Sequence, residues 1–149
     1  MFHPYKLSKK KQKNVRGKSD VECKFYESAD AVPDPTELSS EKKNLTVFDD
    51  LLLEKQNKCE SYYVRGRHSN VDCFCLAQNY FKLSRQTIRE NANFICLFPQ
   101  DLRNLNHIFD DHAGSDMTNE EFRQLCKTAW EKQHGFSIID VSSKTRRQI

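Results

Sequence analysis

Asn44-Leu45-Thr46-Val47-Phe48-Asp49-Asp50 decides how the chain is read: a short apolar, β-prone run that stops at two adjacent carboxylates. Runs of this length and composition suit a strand buried in a sheet, here with both acids at its C-terminal end. Leu51-Leu52-Leu53 then begins a helical segment.

The pattern recurs downstream. Val71 to Ala77, with Asp72 as its one charge, is a second buried strand that ends in the polar pair Gln78-Asn79. Ser84 to Asn91 reads as a short helix with Ser84 as N-cap, and Phe94-Ile95-Cys96-Leu97-Phe98 as a third strand terminated by Pro99. Asp101 to Phe109 is helical. Thr118-Asn119-Glu120-Glu121 is a capping box that opens a helix with Phe122, Leu125, Cys126, Ala129 and Trp130 on one face, and Gly135 is placed to end it. Phe136 to Asp140 makes a final strand. Strands and helices alternate with connections too long for hairpins, which predicts an α/β layer fold with a mainly parallel sheet and flanking helices.

Residues 1–41 show no sustained periodicity; a lysine-rich run is followed by Ala31-Val32-Pro33-Asp34-Pro35. They read as a disordered basic arm and linker, residues 42–141 as the folded domain, and residues 142–149 as a basic tail. With 149 residues, 37% apolar, and a mean hydropathy of −0.81, one modest core is expected. The net charge of +3 comes from the two ends. No apolar run approaches the roughly 18 to 20 residues of a membrane span, and Met1-Phe2-His3-Pro4-Tyr5 is too polar for a secretory signal. The expectation is an intracellular protein, neither secreted nor in a membrane. Six cysteines without a Cys-x-x-Cys pair read as reduced, buried thiols, and a zinc site using Cys73, Cys75 and a histidine fits the spacing poorly. His107 and His112, beside Asp110-Asp111, read as helix-end polar residues.

Reactive groups collect beyond the C-terminal ends of parallel strands, so Asp49-Asp50 and Gln78-Asn79 are expected at one crevice. An acid pair there suits nucleotide hydrolysis: Asp49 holds Mg²⁺ or its water shell, and Asp50 orients and deprotonates the attacking water. Locally, the pair can equally turn the chain and cap the helix at Leu51.

Leu45 to Leu52, then Tyr63-Val64-Arg65-Gly66-Arg67-His68-Ser69-Asn70, then Leu76-Ala77-Gln78-Asn79-Tyr80-Phe81, then Thr87 to Phe98 resemble, in order and spacing, successive blocks of the poxvirus-type DNA-packaging ATPases. They are similar also to relatives in giant viruses and Maverick/Polinton-like transposons. The resemblance covers roughly Asn44 to Asp140. It implies an additional-strand P-loop NTPase of the FtsK/HerA group, with Asp49-Asp50 as the Walker B end, Gln78 as polar sensor and Arg65 or Arg67 as arginine finger. Read as surface residues, these arginines would be salt-bridged. The cofactors implied are Mg²⁺ and ATP, and the partners are double-stranded DNA and a homo-oligomeric ring; the expected setting is a virion-assembly site, nucleus or cytoplasm.

Such a motor needs a Gly-x-x-x-x-Gly-Lys-Ser/Thr loop, whose backbone N–H groups cradle the phosphates. The sequence has no full copy. The nearest stretch, Gln12-Lys13-Asn14-Val15-Arg16-Gly17-Lys18-Ser19, has Gln where the first Gly belongs, and offers only Lys18 and Ser19 as cofactor-binding residues. The expectation is therefore the C-terminal half of the ATPase domain, not competent alone, with no cofactor of its own unless a full-length ATPase supplies the missing half. The resemblance also implies that the strand before the phosphate loop lies between Val71–Ala77 and Phe94–Phe98, so its loss leaves two strand edges unpaired. The alternative is a non-enzymatic DNA-binding or ring-assembly module that uses the basic ends.

Overall fold

In the computed structural model, which describes residues 21–49 and 56–142, the two runs ending at Asp49 and Leu76 form strands β1 (Asn44–Asp49) and β2 (Val71–Leu76). They pair in parallel, with Asn44 opposite Val71 and Asp49 opposite Leu76. A parallel partner requires the chain to return to its starting end, and α1 (Asn57–Arg65) spans that return. The segment expected to begin the helix at Leu51 lies outside the described residues. A 3₁₀ turn over Gly66–Ser69 follows, and Asn70 ends it in the left-handed region at φ 53°, which Asn tolerates better than most residues. Its side-chain amide donates to the Lys42 carbonyl at 3.2 Å, and its carbonyl accepts from the Asn44 N–H at 3.1 Å, so both strands start from one tied point.

The other two strands correct the expectation of a mainly parallel sheet. β3 (Phe94–Leu97) and β4 (Ser137–Asp140) pair antiparallel, Phe94 opposite Asp140, and form a second two-stranded sheet unbonded to the first. The reason lies in the connection. Between β3 and β4 run α2 (Leu102–Ile108), extended by a π-helical turn over Phe109–Ala113, and α3 (Asn119–Trp130). One helical pass returns a chain to its starting end; two bring it back from the opposite one.

The strands are also half-buried rather than buried. Phe48 and Val71 face a core of Val32, Cys59, Tyr62 and Ile88, whereas Leu45, Val47, Phe74 and Leu76 are 60%, 53%, 57% and 51% exposed. Leu97 faces a second core of Tyr80, Leu105, Ile108, Phe122 and Cys126, while Phe94 and Ile138 point outward. Strands apolar on both faces call for cover on both, and the described residues cover one.

Part of the stretch read as linker packs into the first core: Ala29, Val32 and Pro35 are buried, and the Tyr62 hydroxyl donates to the Pro33 carbonyl at 2.9 Å. The expected helix at Ser84–Asn91 is a π-helical turn over Arg85–Arg89, and Ser84 does not cap it. The Ser84 N–H instead takes the Gln56 side chain as acceptor at 3.0 Å, and its hydroxyl accepts from Thr87. Asp101 caps α2 by accepting from the Asn104 N–H at 2.8 Å. Both halves of the Thr118–Glu121 capping box form at the start of α3. Leu125, expected on the buried face of α3, is 59% exposed, so the stripe narrows to Phe122 and Cys126 with Trp130 at its rim. No helix among the described residues is long and apolar enough to cross a membrane.

Candidate functional site: the cleft between the sheets

The in-register parallel pairing brings the C-terminal ends of β1 and β2 to one side. Asp49 closes β1 there, and Gln78 follows two residues beyond the end of β2; both are exposed and both line one cleft of about 1060 Å³. The cleft runs along β2 on one side and β3 on the other, with Ile108 and Ile138 contributing apolar walls. The side-chain amide oxygen of the neighbouring Asn79 is buried with no hydrogen-bond partner among the described residues.

Of the residues singled out from the sequence, Asp49, Gln78 and Arg67 line this cleft, and Arg65 does not. Arg65 reaches Asp34 at 3.8 Å with more than half its side chain exposed, a screened surface pair of small energetic weight. Arg67 sits in the 3₁₀ turn before β2 and donates from Nε to His68 Nε2 at 3.2 Å. At about 3.3 Å per residue, β2 separates it from the Asp49 and Gln78 end by about 17 Å. Within one chain Arg67 and Asp49 therefore lie toward opposite ends of the cleft. Asp50, Lys18 and Ser19 lie outside the described residues.

Mg²⁺ bound with nucleotide commonly takes one or two carboxylates, with phosphate oxygens and water completing its shell. Two exposed carboxylates line the cleft; Asp72 pairs with Lys43 at 3.1 Å, and Asp49, at the C-terminal strand end, fits that donor set. Zinc is a different matter: among the described residues no group of three His, Cys, Asp or Glu side chains is arranged to hold a metal. Cys59, Cys73 and Cys75 do meet beneath the first sheet. Hydrogen bonding with Cys73, reinforced by burial and opposed by Cys75, pushes the Cys59 thiol up to about 12. Its hydrogen bond with Cys59, then burial, raise Cys75 further. The Cys59 and Cys75 thiols are thus held in their protonated form, which is a poor nucleophile. All six cysteines are free, but Cys23 and Cys96 are exposed, contrary to the expectation of buried thiols.

The sequence reading missed a polar cluster at the cleft floor. The Tyr80 hydroxyl donates to Asp111 Oδ2 at 2.9 Å and lies 2.6 Å from His112 Nε2, so its proton on Asp111 requires the imidazole N–H to face the hydroxyl oxygen. Arg89 Nη1 pairs with the same Asp111 oxygen at 2.6 Å, and its guanidinium lies 5.0 Å from the centre of the Tyr80 ring. Burial, then the hydrogen bond to Asp111, push the Tyr80 hydroxyl well above its ordinary range. Tyr80 and Arg89 line the cleft, while Asp111 and His112 come from the π-helical turn after α2. His112, read as a helix-end residue, is thus buried in a joint between the two halves. No local signal marks this joint, because its partners stand 22 to 32 residues apart.

Comparison of the chain with known protein families, with curated proteins and with solved structures found no match.

Proposed function

We propose that this chain contributes the carboxylate and sensor side of a nucleotide-hydrolysing site in a motor that moves double-stranded DNA, of the kind that packages viral genomes. The observation that carries the reading is the meeting of Asp49 and Gln78 at the C-terminal ends of two adjacent parallel strands, on one cleft. Open sheets with a P-loop bind their ligand at such an edge.

Asp49 holds Mg²⁺ or its water shell, Asp50 orients and deprotonates the attacking water, and Gln78 senses the terminal phosphate. Mg²⁺, when bound, neutralises charge that develops on the phosphate oxygens. Arg67 reaches the site of a neighbouring chain, which calls for a ring. The sequence contains no full phosphate-cradling loop, so in this reading that loop comes from outside these 149 residues, which alone hydrolyse nothing. The test is Mg²⁺–ATP turnover by the purified chain beside Asp49→Ala/Asp50→Ala. No turnover in a folded sample is the expected result; turnover abolished by the double substitution overturns the shared-site reading.

The basic stretch Lys6 to Lys18 favours a second reading, a non-enzymatic DNA-binding or ring-assembly module. DNA binding at low salt that falls steeply with added salt, and is lost when that stretch is neutralised, supports it; no binding at low salt removes its DNA half.

A further inference from the structure

We infer that the outward face of the first sheet is the contact surface of a two-fold symmetric dimer, in which a second copy of this chain lays its β1 antiparallel across β1, so that Lys43 of each copy meets Asp49 of the other. The inference goes beyond the nucleotide reading and does not depend on it.

Side chains alternate between the two faces of a strand. Phe48 points into the first core, which sends Leu45, Val47 and Asp49 to the opposite face, and all three are exposed. Lys43, one residue before β1, falls on the same side: its Nζ reaches Asp72 at 3.1 Å, and Asp72 stands opposite Leu45. Along β1 the face therefore runs cation, apolar, apolar, anion. Reversed, that row is its own complement. A two-fold axis between Leu45 and Val47 sets Lys43 against Asp49 of the second copy at both ends of the contact, and Leu45 against Val47 in its middle. A contact between two identical patches requires this kind of self-complementarity.

The flanking strand widens the apolar centre. Phe74 and Leu76 stand opposite Val47 and Asp49 and, like Leu45 and Val47, are more than half exposed. Four such side chains on one sheet face form a contiguous apolar surface of the kind that marks an interaction site. The Lys43–Asp72 pair is mostly solvent-exposed, so it holds Lys43 only weakly, and the ammonium keeps donors for Asp49 across the contact. The second sheet suits self-contact less well. Phe94 and Ile138 point outward there, but Asp140 is the one charged residue of β3 and β4, and an anion alone is not its own complement. Two-fold contact also closes at two copies, whereas head-to-tail contact continues into a ring or a filament.

The test is sedimentation of the full chain at low salt over a range of about 1 μM to about 1 mM. The expected result is a monomer–dimer equilibrium. Lys43→Asp and Asp49→Lys should each weaken it about tenfold or more, because each sets like charges together at both ends. An equimolar mixture of these two variants should recover the dimer, since every end then pairs opposite charges, and so should the chain carrying both substitutions. Val47→Lys, at an exposed position beside the axis, should abolish the dimer and serves where a charge-reversed variant fails to fold. Ile138→Lys, on the second sheet, should leave the dimer intact. A monomer at every concentration, single reversals without effect, a mixture that recovers nothing, assemblies beyond two copies, or a dimer lost with Ile138→Lys overturns the proposal. None of these readouts involves nucleotide, so this proposal and the motor reading fail separately.

Discussion

The first half of the molecule pairs its strands in parallel around Phe48, Cys59 and Tyr62; the second pairs its strands antiparallel around Ile108, Phe122 and Cys126. Strand composition is nearly the same in both: short, mostly apolar runs, with one strand of each pair ending in an aspartate, Asp49 in β1 and Asp140 in β4. What differs is the number of helical passes between paired strands, one against two. Strand direction is thus a property of the connection rather than of the strand.

If each half has its own core, truncating a central aromatic in one should be felt first in that half. Phe48→Ala and Phe122→Ala should each cost about 3 to 5 kcal/mol, read by chemical denaturation. Phe122→Ala should speed exchange of β3 and β4 amides more than those of β1 and β2, and the reverse for Phe48→Ala. Equal acceleration everywhere would show a single cooperative unit.

The joint between the halves is the next lever. Asp111→Ala leaves the buried Arg89 guanidinium without its 2.6 Å partner and removes the acceptor of Tyr80, a loss of about 3 kcal/mol. It should couple with Phe48→Ala in a double-mutant cycle if the joint binds the halves together, and add independently if it does not. Gly135→Ala acts on the second half alone: a Cβ there meets the carbonyl oxygens of Ala129 and Lys132, and such overpacking costs about 1 to 3 kcal/mol. Thr118→Ala, which removes one arm of the capping box of α3, should cost about 1 kcal/mol by the same measurement.

A further effect belongs to the first half and appears only in alkali. The Cys59 thiol is held up to about 12 from an ordinary value of 9.0, so its protonated form is favoured by folding. That contribution is complete below about pH 9 and is lost as pH rises through about 12. Stability of the wild type should therefore fall over this window more steeply than that of Cys59→Ala. Equal slopes would remove Cys59 from the account.

Much of the element order was legible: apolar runs located all four strands, and Thr118 with Glu121 fixed the start of α3. Three things were not. Antiparallel pairing of β3 and β4 depends on how many helices fold back, and periodicity does not report that. The outward exposure of Leu45, Val47, Phe74 and Leu76 was hidden because a strand apolar on both faces reads as doubly covered whether or not the second layer is present. The Tyr80–Arg89–Asp111–His112 joint was hidden because its members are ordinary polar residues in separate segments. At the candidate site, strand-end logic brought Asp49 and Gln78 to one cleft, but could not separate Arg67, which lines it, from Arg65, which pairs with Asp34.

Trp130 is the only tryptophan in the chain, and its indole N–H donates to the Leu97 carbonyl at 3.0 Å, fastening the last turn of α3 to β3. Its ultraviolet emission is consequently a built-in optical gauge of that one contact. A colour shift on heating or in denaturant records α3 leaving β3, and the first half can come apart unseen unless the joint carries the disturbance across.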